Sequence, residues 1–134
     1  MQGLHILAEL HDCRCERELL HNPDTLQALC RAACHIGSLT IVAETFHAFG
    51  TPHAPAGVTG AVVLAESHLA IHTWPELGSL GAVTLDLYVC NFSRNNTTSA
   101  EHAFEHLVNA FQPERVARHD QQRGALNPSR ANPA

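Results

Sequence analysis

Between Ser38 and Cys90 the chain reads as four β-rich segments in succession, and this run limits the fold more than any other feature. Residues 38–47 carry β-branched enrichment, and residues 58–66, 68–73 and 82–90 repeat that character between turn signals. The second and third of these segments are nearly contiguous, and Gly78-Ser79-Leu80-Gly81 joins the last two. Strands connected this tightly pair antiparallel, because a parallel pair needs a crossover of a dozen residues or more. The segments therefore predict a meander around Ser67, entered through a Gly/Pro-rich loop at 50–57.

The flanks supply the rest of the sheet and its cover. Leu4, Ile6, Ala8 and Leu10 alternate as a strand over 4–10, followed by a polar turn from Asp12 to Arg17. Asn22-Pro23-Asp24 opens a helix whose apolar stripe is Leu26, Leu29, Cys30, Ala33 and Ile36, and Gly37 ends it. Thr98 as N-cap has capping-box spacing to Glu101 and begins a second helix, with Phe104, Leu107, Val108 and Phe111 on one side and a stop at Pro113. Glu114 to His119 reads as a last strand, and 121–134, rich in Asn, Pro and Arg, as a mobile tail. The order β-α-β-β-β-β-α-β predicts an α+β two-layer sandwich: one domain over 1–120, with a largely antiparallel sheet and two helices on one face. The other face needs cover, and apolar side chains there would favour a homodimer formed by sheet packing.

Bulk properties exclude several function classes. At 45% hydrophobic residues, the 134-residue chain has no apolar run near the ~18 residues of a membrane span. Its N-terminus lacks the basic-then-apolar pattern of a secretion signal, so a cytoplasmic location is expected, with no membrane partner. Net charge is -5, and the eight Lys and Arg residues form no stripe that could track a phosphate backbone, which argues against nucleic acid. Five cysteines, an odd count, are expected as reduced thiols. Cys13/Cys15 and Cys30/Cys34, beside eleven histidines, raise a thiolate metal site, but the spacing fits no common zinc pattern and Cys30 lies on the apolar side of its helix.

The chemistry-bearing segment is Glu66-Ser67-His68, with a second imidazole, His72, five residues on. A serine between a carboxylate residue and an imidazole is equipped for nucleophilic attack and proton transfer. No Gly-x-Ser-x-Gly elbow is present, which argues against a hydrolase. The longer string Gly57-Val58-Thr59-Gly60 through Glu66-Ser67-His68 to His72-Thr73-Trp74-Pro75-Glu76 closely resembles the self-processing segment of prokaryotic S-adenosylmethionine decarboxylases. The resemblance continues through Asp86-Leu87-Tyr88-Val89-Cys90, Ala103 to Leu107, Arg115-Val116 and Arg123-Gly124, from about Leu4 to Gly124.

That resemblance implies a proenzyme cut between Glu66 and Ser67 into a β chain, 1–66, and an α chain, 67–134. Ser67 Oγ would attack the Glu66 carbonyl, the peptide would become an ester, and loss of the Ser67 Cα proton would leave a pyruvoyl group. By motif position His72 is the processing base, Thr59 its hydroxyl partner and Cys90 the acid that returns a proton to the substrate. The pyruvoyl carbonyl would form a Schiff base with a small-molecule amine and act as electron sink, without PLP and without a metal. Glu76 matches a glutamate that grips a ribose diol, and Phe49 an aromatic that stacks on adenine. Trp74 and Phe46 read as core packing. The implied product is the aminopropyl donor for spermidine biosynthesis, and the implied assembly is a dimer of processed α/β pairs with active sites near the interface.

The chain departs from the family near the substrate. Pro55-Ala56-Gly57 stands where Pro-Tyr-Gly is common, after a lengthened loop at 50–55, and Leu77 to Gly81 replaces a tighter tyrosine-bearing turn. Two other readings are weighed for that reason: a pyruvoyl-dependent ornithine or arginine decarboxylase, and a non-catalytic binding homologue. Retention of Glu66, Ser67, His72 and Cys90 together argues against the second.

Overall fold

Strand alternation and two amphipathic helices do build the expected sandwich. The structure, a computed structural model, describes residues 2–92 and 94–124. Its elements are β1 (Gly3–Cys13), α1 (Glu18–His21), α2 (Pro23–Ile36), β2 (Ile41–Gly50), β3 (Pro55–Leu64), β4 (Ser67–Trp74), β5 (Ala82–Cys90), α3 (Thr97–Phe111) and β6 (Pro113–Arg123). The strands form one six-stranded sheet in the order β2-β3-β4-β5-β1-β6. Every neighbouring pair is antiparallel. The meander β2 to β5 is thus continuous, and β1 and β6 extend it along the far edge of β5.

One face of the sheet makes the core. Ile6 and Leu10 of β1, Val62 of β3, Leu69 and Ile71 of β4, and Val83, Leu87 and Val89 of β5 are buried with Leu26 and Cys30 of α2 and Leu107 and Phe111 of α3. Each such fully buried aliphatic or aromatic side chain contributes ~1.5–3 kcal/mol through removal of apolar area from water. Two glycines permit close approach. A Cβ on Gly37 would meet the Ser99 backbone oxygen and the Ala103 methyl, so the crossing of α2 on α3 needs a residue without one. A Cβ on Gly60 would overlap the ring of Phe46, which lies against the core as expected.

The opposite face is only partly polar. Leu7, Val63, Trp74 and Phe49 stand on it at 38%, 48%, 40% and 52% exposure. It also carries His5, His47, His68, His72, Asp86 and Tyr88, placed there by the same period-two alternation that sends their neighbours inward.

Several boundaries differ from expectation. The third helix, α1, is a single turn that the polar composition of 12–17 did not announce. β2 starts at Ile41, not at 38, because Ser38 takes a left-handed φ of 58° and Leu39 N–H donates to the Cys34 carbonyl, closing the end of α2. The second long helix starts at Thr97 after Asn96, so Thr98 is not its N-cap. Asn95 Oδ1 accepts from Thr97 N–H, and Asn96 is held by Asn91 Oδ1 and the Cys90 carbonyl, which fixes the entry two residues early. β6 runs to Arg123, so Gln121 to Arg123 are strand where a mobile tail was expected. Their backbone pairs with Gly3, Leu4 and His5, and an edge strand needs no apolar pattern to do that. The rest of the expected tail, 125–134, lies outside the described residues. Trp74 is not in the core: it stands on the outer face and its indole N–H donates to Thr84 Oγ1 at 2.9 Å.

Candidate active site

The Glu66-Ser67 junction lies where the two-residue turn Ala65-Glu66 meets the first residue of β4. Turn formation forces Ser67 to a φ of 151°, a region that a residue with a Cβ rarely occupies and that costs ~1–3 kcal/mol when imposed by its surroundings. The surroundings are specific. Glu66 C=O accepts the backbone N–H of Cys90 at 2.7 Å, while Ala65 N–H bonds the Thr40 carbonyl. The Glu66 carboxylate accepts from Thr40 N–H at 2.9 Å, so this side chain pins the turn to the start of β2 and does not face the serine. The Glu66 carbonyl therefore has a fixed N–H donor on its oxygen, where negative charge would develop if a nucleophile attacked its carbon.

Ser67 Oγ lies 3.2 Å from His68 Nδ1. His68 Nε2 is 3.0 Å from Asp86 Oδ1, and His5 Nε2 reaches the same oxygen at 3.0 Å. Arg123 approaches His5 Nδ1 at 3.2 Å and covers the Tyr88 ring at 4.2 Å from its centroid. Tyr88 walls both imidazoles, with ring centroids 5.5 Å from His5 and 5.9 Å from His68. His5, His68 and Asp86 form the one group among the described residues with three potential metal ligands within 4.8 Å of one another. Nothing in local sequence announces this cluster. It is made by register, which sets His5 opposite Tyr88 and Gln121, and His68 opposite Tyr88.

A second set gathers at the other end of β4. Phe49, Ala56, Gly57, Thr59, His72, Trp74 and Glu76 line a cavity of about 450 Å³. Thr59 and His72 are cross-strand partners, and Thr59 Oγ1 lies 2.6 Å from His72 Nδ1. Four of the sequence-selected residues, Phe49, Thr59, His72 and Glu76, are thus brought together, as Ser67, Glu66 and Cys90 are at the first end. The two sets are not brought together within one chain. Five residues of strand separate Ser67 from His72 by roughly 17 Å at 3.3 Å per residue, beyond any direct proton transfer.

The cysteines divide in the same sense. Cys13, Cys15, Cys30 and Cys34 are buried free thiols, whereas Cys90 is partly exposed. Burial pushes the Cys13 and Cys34 thiols up to about 11 and raises Cys15 and Cys30 as well, which keeps these four protonated and poor as nucleophiles or metal ligands.

Known proteins share this arrangement of elements and motifs. A family model described as S-adenosylmethionine decarboxylase matches residues 4–124. The S-adenosylmethionine decarboxylase proenzyme of Thermotoga maritima is 38% identical over 122 residues, covering 91% of this chain and 84% of its own length. The proenzyme of Picrophilus torridus is 32% identical over 92% of this chain and 85% of its own length. The crystal structure of the adenosylmethionine decarboxylase from Aquifex aeolicus superposes with a TM-score of 0.78 at 30% identity, covering 93% of this chain and 92% of that one. On its sequence and its fold, the chain belongs to the S-adenosylmethionine decarboxylase family.

Proposed function

We propose that the chain cuts itself between Glu66 and Ser67 and that the product decarboxylates S-adenosylmethionine, supplying the aminopropyl donor for spermidine synthesis in the cytoplasm. The observation that carries this reading is the junction itself: a serine at φ 151° whose preceding carbonyl is already held by Cys90 N–H at 2.7 Å. Strain on the serine favours loss of the peptide, and the fixed donor favours charge on the carbonyl oxygen. When formed from Ser67, the pyruvoyl group supplies a carbonyl that condenses with the substrate amine and accepts the electrons released with CO2.

The remaining work falls to side chains. His72, with Thr59 bonded to it, removes the Ser67 Cα proton during processing. Cys90, adjoining the reacting end of β4, returns a proton to the decarboxylated carbon. Glu76 accepts the ribose hydroxyls and Phe49 stacks on adenine across the cavity at the far end. Because His72 lies roughly 17 Å from Ser67 in its own chain, this assignment requires a second copy. Two-fold packing of the outer faces, covering Leu7, Val63 and Trp74, sets the Ser67 end of one β4 against the His72 end of the other and completes two sites per dimer.

Relatives named for S-adenosylmethionine, together with a cavity that offers both a stacking ring and a carboxylate, favour that substrate over ornithine or arginine. Intact-mass analysis of the purified protein tests the first half of the proposal: two chains, the second with a carbonyl in place of its amine, are expected. Side-by-side CO2 release from S-adenosylmethionine, ornithine and arginine tests the second, and turnover of either amino acid alone would overturn the substrate.

A further inference from the structure

We propose that His68 is the base that opens self-cleavage, taking the Ser67 hydroxyl proton, and that Asp86 is the positioning residue that fixes its tautomer. This rests on the self-processing reading and assigns a step that His72 cannot perform within its own chain, some five strand residues from Ser67.

The proton positions follow from which partners can only donate or only accept. An arginine guanidinium only donates, so Arg123 at 3.2 Å makes His5 Nδ1 an acceptor and places the His5 proton on Nε2. That proton points to Asp86 Oδ1 at 3.0 Å. A carboxylate only accepts, so His68 Nε2, also 3.0 Å from Asp86 Oδ1, carries a proton as well. Neutral His68 then has its lone pair on Nδ1, and Nδ1 is the atom 3.2 Å from Ser67 Oγ. The hydroxyl donates to it. The same logic disfavours a metal among His5, His68 and Asp86, because both imidazole nitrogens that would ligate it carry hydrogen, and a guanidinium backs one ring.

The step balances within the chain. Ser67 O–H gives its proton to His68 Nδ1 while Oγ bonds to the Glu66 carbonyl carbon. The carbonyl π pair moves to oxygen, where Cys90 N–H receives it. When the tetrahedral carbon collapses, the C–N bond to Ser67 breaks and the His68 proton passes to the departing amine, leaving an ester and a free amino group with no co-reactant consumed. Nucleophile, base, orienting carboxylate and oxyanion donor are all supplied by one copy, whereas the later removal of the Cα proton needs His72.

Hydroxylamine, which cleaves esters and spares ordinary peptide bonds, separates the two steps. In freshly folded His72→Ala protein the ester should accumulate, and hydroxylamine should release residues 1–66 as the hydroxamate. His68→Ala, and His68→Gln, which keeps a polar group but lacks the base, should form that ester at least about 100-fold more slowly than His72→Ala, with unchanged melting behaviour. Added imidazole should restore ester formation to His68→Ala. Asp86→Asn should slow the same step about tenfold or more, and Asp86→Glu, which keeps a carboxylate, should recover part of the loss. Ester formation in His68→Ala at the rate of His72→Ala, or a block that imidazole leaves untouched, would overturn the assignment. A wild-type chain that stays intact would overturn the self-processing reading, and the assignment with it.

Discussion

The two ends of β4 are built in opposite ways. At the Ser67 end the backbone does most of the work: an inverted φ, a carbonyl held at 2.7 Å by Cys90 N–H, and a side-chain chain from His68 through Asp86 to His5. At the Trp74 end there is an open cavity walled by Phe49 and Trp74, with Thr59, His72 and Glu76 on its rim and no backbone strain among them. In the proposed reaction the first end breaks a peptide bond. The second, in the same proposal, holds the nucleoside. One strand carries both halves because alternation puts His68 and His72 on the same outer face, and strand rise keeps them apart.

The sharpest way to break this comparison is complementation. Ser67→Ala and His72→Ala chains, each expressed alone, should fail to complete processing. Co-expressed, they should form mixed dimers in which His72 of the Ser67→Ala chain serves Ser67 of the other, and mass analysis should find the His72→Ala chain cut while the Ser67→Ala chain stays whole. Absence of any cut chain in verified mixed dimers would show that the two ends do not meet across copies.

A smaller but still large effect is expected from the face between the two ends. Val63 is half exposed on the outer face, where it pairs across strands with His68 but offers no polar atom from its side chain to either set, so Val63→Glu should leave the monomer folded while placing a charge in the proposed interface. Light scattering should show a shift from two chains toward one, and completed processing should fall with the dimer fraction, whereas the hydroxylamine-sensitive ester should still form. A monomer that processes at the wild-type rate would return both steps to one chain.

Cys90 sharpens the first end alone. An alkylating reagent at neutral pH should modify Cys90 and abolish decarboxylation, while Cys13 and Cys34, pushed up to about 11 by burial, remain protonated and unlabelled until the solution approaches that pH. Cys90→Ala should still cut itself, because its contribution to cleavage is a backbone N–H that alanine retains. Loss of cleavage in Cys90→Ala would give the thiol a part in processing.

What the sequence revealed follows the same division. Period-two alternation and a 3.6-residue stripe are local signals, so the meander, the core face and both long helices were legible, as were Ser67 and the cavity residues through the motif. Long-range register is not local. The partnership of His5, Asp86 and Arg123 with His68 exists only because β1 pairs with both β5 and β6, and no spacing in the chain encodes it. The role of Cys90 N–H was hidden for the same reason. Sequence spacing placed His72 five residues from Ser67 by motif but carried no distance; on an extended strand five residues are a long way. Trp74 was misplaced because indoles are usually buried, whereas here alternation from Thr73, which is buried, sends it outward.

The smallest effect concerns the second end. Glu76 is exposed and lines the same cavity as Phe49, so its carboxylate can accept hydrogen bonds from a diol without first being desolvated. Glu76→Gln keeps the length and one acceptor but removes the charge, and the loss should match one charge-assisted hydrogen bond, ~1.5 to 3 kcal/mol, or about 10- to 100-fold in kcat/KM for S-adenosylmethionine. Processing should be untouched, since Glu76 lies even farther along the chain from Ser67 than His72 does. Phe49→Ala should add a further loss through stacking, and because Phe49 and Glu76 line one cavity the two losses need not sum. If both variants turned over S-adenosylmethionine as the wild type does, the cavity at the Trp74 end would not be where the nucleoside sits, and the contrast between a cutting end and a binding end would fail at its second term.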